Sequence, residues 1–159
     1  MRWCVLRRLS PPATFFGRFY AGLVSFWVAR EINDKKKSKK WIKRGVECKD
    51  EIEKLSVSAS KWNFQNKAYL LQAEEQFSNM NFELAERLYD AAISSSKTHK
   101  FVNEEALANE LTGHFYLESG RRNRSVQYFS RAFEKYNEWG AVAKSNTLTE
   151  YLDETDRDD

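Results

Sequence analysis

One helical pattern is written twice in this chain, and that repetition leaves few choices of fold. Shifted by 40 residues, 73–93 falls on 113–133 with side-chain sizes in register. Small residues meet small ones: Ala73 on Gly113, Ala85 on Ser125, Ala92 on Ala132. Large ones meet large ones: Phe77 on Leu117, Leu88 on Tyr128, Tyr89 on Phe129, Ile93 on Phe133. Small positions let two helix axes approach, and large ones fill the space beside them. A repeat of several tens of residues marks a stacked helical array, in which each unit buries its apolar face only against its neighbours.

Composition agrees with helix. Among 159 residues there are only two prolines and six scattered glycines, and Leu, Ala, Glu and Lys are plentiful. The expected fold is all-α: an α-α superhelix of about three antiparallel hairpins with a C-terminal capping helix. The hairpins are expected at about 13–56, 62–98 and 101–139 and the cap at 141–152, in one domain over 13–152. Residues 1–12 are basic (Arg2, Arg7, Arg8) and end in Pro11-Pro12, and 153–159 are acidic; both are expected to be disordered. In the second hairpin Tyr69, Leu70, Ala73 and Phe77 should point inward, and Asn81 should cap the following helix. Ser94–Ser96 should fray that helix. Gly120 is placed to close the next one, and Gly140 to break the last pair.

The first third reads less clearly. Residues 13–29 are apolar and aromatic, but Arg18 interrupts them, and only 19–29 are uncharged. That is about half the ~20 residues a membrane span needs. Phe19, Gly22, Leu23 and Phe26 share one helical face, as in the first helix of a degenerate earlier repeat. The choice between a core helix and a membrane-associated one stays open for 13–29, with the core helix preferred. Residues 1–49 carry 13 basic side chains against 3 acidic ones, whereas 50–159 carry 13 against 20. Seven of those cations lie in ten residues: Lys35, Lys36, Lys37, Lys39, Lys40, Lys43 and Arg44. The preferred reading is the solvated face of a helix continuing through Val46, Cys48, Ile52 and Leu55. The alternative is a basic module that binds RNA or an anionic membrane.

The small–small–aromatic–small order of Ala73, Ala85, Tyr89 and Ala92, repeated as Gly113, Ser125, Phe129 and Ala132, resembles the tetratricopeptide class. A closer resemblance is to the helical region of large multidomain signalling ATPases and sensor histidine kinases. It rests on 63–67 with 70–75, on 81–85 through Tyr89-Asp90, on 103–110, on Phe115-Tyr116-Leu117 and on 136–141. The basic turn Arg121-Arg122-Asn123-Arg124 departs from the repeat consensus, and the proline that often closes a repeat is missing. The resemblance implies a non-catalytic scaffold in signal transduction, a fragment lacking the family's catalytic domains.

Residue patterns for chemistry are thin. No glycine-rich phosphate loop is present. Glu110 and His114 stand at i, i+4, but a third metal ligand is not evident, so a helix-surface pair is expected. Cys4 and Cys48 lie far apart and read as free thiols of a cytoplasmic protein. No enzyme activity, cofactor or metal is expected. The expected partner is a peptide or helix held in a concave groove lined by the first helix of each pair, or the flanking signalling domains. Asn66, Gln72, Gln76, Asn109 and Thr112 are the exposed candidates for that contact. The expectation runs against nucleic acid and against membrane. Dimerisation stays open, because three helical pairs are near the minimum for a stable stack.

Overall fold

The computed structural model describes residues 12–153, so the segment 1–12 (except Pro12), Cys4 and the tail beyond Asp153 lie outside the described residues. Seven helices account for every regular element among them. They are α1 (Pro12–Glu31), α2 (Lys35–Ser58), α3 (Lys61–Ser78), α4 (Phe82–Thr98), α5 (Val102–Glu118), α6 (Arg122–Trp139) and α7 (Val142–Asp153). Each helix packs on the next, so the described residues are all-α, with three helical pairs and a seventh helix closing the end. Connections of two or three residues hold consecutive helices side by side and antiparallel.

The four turns from α3 to α7 share one geometry, and it recurs every 20 residues. Met80, Lys100, Gly120 and Gly140 all have positive φ, at 63°, 57°, 75° and 84°. At each, the amide of the following residue returns to a carbonyl five positions back: Asn81 to Gln76, Phe101 to Ser96, Arg121 to Tyr116 and Ala141 to Tyr136. A left-handed residue that lets the next amide close the last helical turn is the common way to stop a helix and reverse the chain. Two glycines do this without strain, while Met80 and Lys100 do it against the steric preference of an L side chain. Asn81 stands at the N-cap position of α4 but makes no side-chain cap; its Nδ2 donates to Gln76 Oε1 at 3.1 Å. The side-chain cap that does form is Asp34, which accepts from the amides of Lys36 and Lys37 at the start of α2.

Fraying at Ser94–Ser96 does not occur. The helix runs on to Thr98, because Ser96 is buried and accepts a bond from Asn66 Nδ2 at 3.0 Å, which ties α4 to α3.

The repeated small positions are all buried: Ala73, Gly113, Ala85, Ser125, Ala92 and Ala132. A Cβ at Gly113 would lie 2.7 Å from the Phe129 ring, so α5 and α6 meet at ring-on-backbone distance. In the first pair the roles are exchanged. Phe26 of α1 lies on Gly45 of α2, where a Cβ would again fall 2.7 Å from the ring. Gly22 turns instead to Leu71 of α3. The core runs in two bodies, one from α1 to α5 around Phe26, Leu71, Tyr89 and Phe115, the other from α5 to α7 around Phe129, Tyr136 and Leu148. α5 is buried on both sides, which explains its small and polar buried residues.

Replacing Met80, whose side chain is largely exposed, by glycine should raise unfolding stability by about 1 kcal/mol, and Gly120→Ala should lower it by about as much. Urea unfolding of the two variants checks both signs at once.

Candidate functional site

First helices of successive pairs line one side of the molecule. α1 contributes Tyr20, Leu23, Val24, Trp27 and Arg30, α3 contributes Glu74, and α5 contributes Leu107, Glu110, Leu111, His114 and Glu118. Lys144 of α7 closes the far end. Together they enclose a groove of about 400 Å³. On α1, Phe16, Tyr20, Val24 and Trp27 follow one another at helical spacing and are each about half exposed. Such a stripe of large apolar side chains is not what a helix turned to water carries. At the N-terminal end of α1 a second hollow of about 310 Å³ lies among Phe15, Phe16, Phe64 and Phe101, with Lys67 and Glu104.

Beneath the apolar stripe the floor is ionic. Glu74, 2% exposed, accepts from Arg30 Nη1 at 2.8 Å and from Tyr89 Oη at 2.6 Å. The Arg30 guanidinium lies 4.2 Å from the centre of the Phe77 ring, and its Nε stands 3.5 Å from Glu118. Burial works against the Arg30 charge, but Glu74 outweighs it and the pKa rises. Burial likewise pushes the Tyr89 hydroxyl well up, with the Glu74 charge adding to it, so Tyr89 is a donor at any ordinary pH. Glu110 repeats the arrangement one pair later. It accepts from Tyr136 Oη at 2.6 Å and from Lys144 Nζ at 2.5 Å. A third carboxylate, Glu104, meets Lys67 Nζ at 2.5 Å and Asn66 Nδ2.

His114 lies against Phe129 and Tyr151, with ring centres 5.0 and 5.3 Å away. Burial holds its pKa below the ordinary histidine range, against the pull of Glu110. It occupies the position that Glu74 holds one repeat earlier, and Phe129 the position of Tyr89. The hydrogen bond of one pair is thus a ring-on-ring contact in the next. Glu118 is pushed up, first by burial and then by the nearby Glu74 charge, with Arg30 opposing.

The polar residues expected to face a partner lie elsewhere. Asn66, Asn109 and Thr112 are buried. Asn109 Nδ2 and Thr112 Oγ1 donate to carbonyls four residues back in their own helix. Gln72, half-buried, donates to Glu53 of α2 at 2.8 Å, and Gln76 serves the turn into α4. The reason is angular: at 100° per residue, Gln72 and Gln76 each stand about 200° from Glu74, the α3 residue that faces the groove. Glu110 and His114 are not a surface pair either. Glu110 is buried and both line the groove, while no cluster of three or more His, Cys, Asp or Glu suited to a metal occurs among the described residues.

The basic turn has a structural use. Arg121 and Arg124 both reach Glu86, at 2.7 and 2.6 Å, and both guanidinium groups lie over the Tyr116 ring. Cys48 is free and buried, and burial pushes its thiol up despite Arg18 nearby. Among the described residues no helix is long and apolar enough to cross a membrane, α1 included. Lys35, Lys36, Lys37, Lys39, Lys40, Lys43 and Arg44 are all exposed on the first half of α2. Comparison of the chain with protein-family models, curated proteins and solved structures finds no match.

Arg30→Met leaves Glu74 buried without its cation and should cost about 3–5 kcal/mol in urea unfolding, most of it recovered in Arg30→Met/Glu74→Gln. The depressed His114 pKa means that the unfolded chain takes up the imidazole proton first as pH falls. Its contribution is therefore complete above the unfolded value of 6.5 and is lost as pH drops below it. Stability measured across that range should fall less steeply in His114→Phe than in the parent protein.

Proposed function

We propose that this protein is a non-catalytic scaffold that grips a polypeptide segment in the groove between α1 and α5. The single observation that carries the reading is the half-exposed stripe of Phe16, Tyr20, Val24 and Trp27 along a groove whose buried carboxylates are already satisfied within the chain. Apolar anchors set over a fixed ionic floor suit helix-in-groove or peptide recognition, in which a few aromatic contacts carry most of the affinity. Chemistry would instead call for a carboxylate, histidine or thiol left unpaired and open to a substrate. Here Glu74, Glu110 and Glu104 each hold a cation, the groove-lining His114 packs edge-on against Phe129 and Tyr151, and Cys48 is sealed in the core.

The repeated pairs and the grooved side made by first helices support a tetratricopeptide-like superhelix. The resemblance to the helical region of multidomain signalling ATPases and histidine kinases extends this to a cytoplasmic role in signal transduction, with a partner protein or flanking signalling domains as the occupant. That extension rests on the sequence motifs.

Affinity capture from the native source, run side by side with Tyr20→Ala/Trp27→Ala/Leu111→Ala, tests the groove. Proteins retained by the parent chain in about 0.5 M salt should be lost from the variant, with its helix content unchanged by circular dichroism. Retention by the variant, or loss from the parent by salt alone, rejects groove docking.

A further inference from the structure

Independently of the groove, we propose that the outer face of α2 docks on an anionic lipid surface. Gly45, Cys48 and Ile52 mark the buried side of this helix. At 100° per residue, the seven cations of 35–44 fan over about 200° on the opposite side, along about 14 Å of helix. No carboxylate stands between Asp34 and Glu47 in the sequence. Of the seven, only Lys37 pairs with a carboxylate among the described residues, Asp34 at 3.8 Å.

The fold itself does not explain this arrangement. Lys35, Lys36 and Lys37 crowd the first turn of α2, at the positive end of its dipole, where acidic residues are favoured and only the N-cap Asp34 supplies one. Lys35 and Lys39, Lys36 and Lys40, Lys39 and Lys43, and Lys40 and Arg44 are like charges one turn apart, each pair destabilising a helix. An anionic surface turns this repulsion into attraction.

A bilayer fits better than a nucleic acid. Six of the seven cations are lysines, which act as point charges on flexible stems and lack the fork that arginine offers to a single phosphate. Trp41, the ring available for base stacking beside them, is half-buried with the Arg44 guanidinium 5.7 Å from its centre. A helix face bearing four to eight basic residues is the pattern that anionic leaflets attract, each lysine strengthening binding roughly fivefold.

Sedimentation of the full chain with phosphatidylcholine vesicles, with and without about 30 mol % phosphatidylserine, tests the proposal. Binding should require phosphatidylserine, vanish at about 0.5 M salt, and fall about a hundredfold in K36Q/K40Q/K43Q. These exposed positions leave the fold intact, which circular dichroism verifies. Undiminished binding by that variant, equal binding to neutral vesicles, or tighter binding to an RNA duplex at equal phosphate concentration would each overturn it. So would a larger loss in R2Q/R7Q/R8Q than in the lysine variant, because that result would put the contact on the N-terminal segment.

Discussion

Buried carboxylates on the first helices are what hold this stack in one arrangement. Apolar packing is tolerant; two helices that bury Leu and Phe can slide or rotate by small amounts at modest cost. A carboxylate without water is not tolerant, because leaving it unpaired costs several kcal/mol. Glu74 is satisfied only when α1 brings Arg30 and α4 brings Tyr89 to it, and Arg30 then reaches on to Glu118 of α5. Glu110 is satisfied only when α6 brings Tyr136 and α7 brings Lys144. Each carboxylate therefore fixes three helices with respect to one another, and the arginine of the first group adds a fourth. Two such centres, one on α3 and one on α5, span the array from α1 to α7.

The period of the chain comes from elsewhere. Helices of 17 or 18 residues from α3 to α6, separated by turns with the same left-handed residue, give a 20-residue step, and two steps make the 40-residue repeat. A constant step keeps the same helical face inward in successive pairs. That is why Tyr89 and Phe129, and Ala92 and Ala132, occupy matching buried places although the polar bonds around them differ. Spacing is thus set by turn geometry, and identity at each place by the local partner.

Much of this could be read from the residues. The size pattern of 73–93 against 113–133 located the close helix contacts, and Phe19, Gly22, Leu23 and Phe26 identified the inward face of α1. The site was far less legible. Polarity on a first helix does not mark exposure, because Asn66, Asn109 and Thr112 satisfy backbone or buried partners. The groove-lining carboxylates looked like ordinary helix-surface acids, because their cations and tyrosines are 15 to 44 residues away. No local pattern announces such a match. The exposed stripe at 16, 20, 24 and 27 belongs to the same aromatic run as the inward face, and only the packing of α1 on α2 and α3 separates the two. The turn period was hidden for a different reason: Met80 and Lys100 adopt the backbone that Gly120 and Gly140 advertise.

The two ends of the array also explain why α1 is left with an uncovered side. At the C-terminal end α7 lies on α6, and Tyr151 stacks on Phe129 with ring centres 4.5 Å apart, so the last pair is closed by aromatic contact. At the other end α1 spends its inward face on both α2 and α3, through Phe26 on Gly45 and Gly22 against Leu71. Exchanging small and large residues between the helices of this pair turns α1 partly toward α3. The face left over looks across the Glu74 floor to Leu107 and Leu111 of α5. α1 packs against α3 and α5 packs against α4 and α6, so the strip between them is walled by apolar side chains and floored by neutralised charge. A segment entering it meets oily walls and no unpaired ion, which favours an occupant that brings apolar side chains of its own.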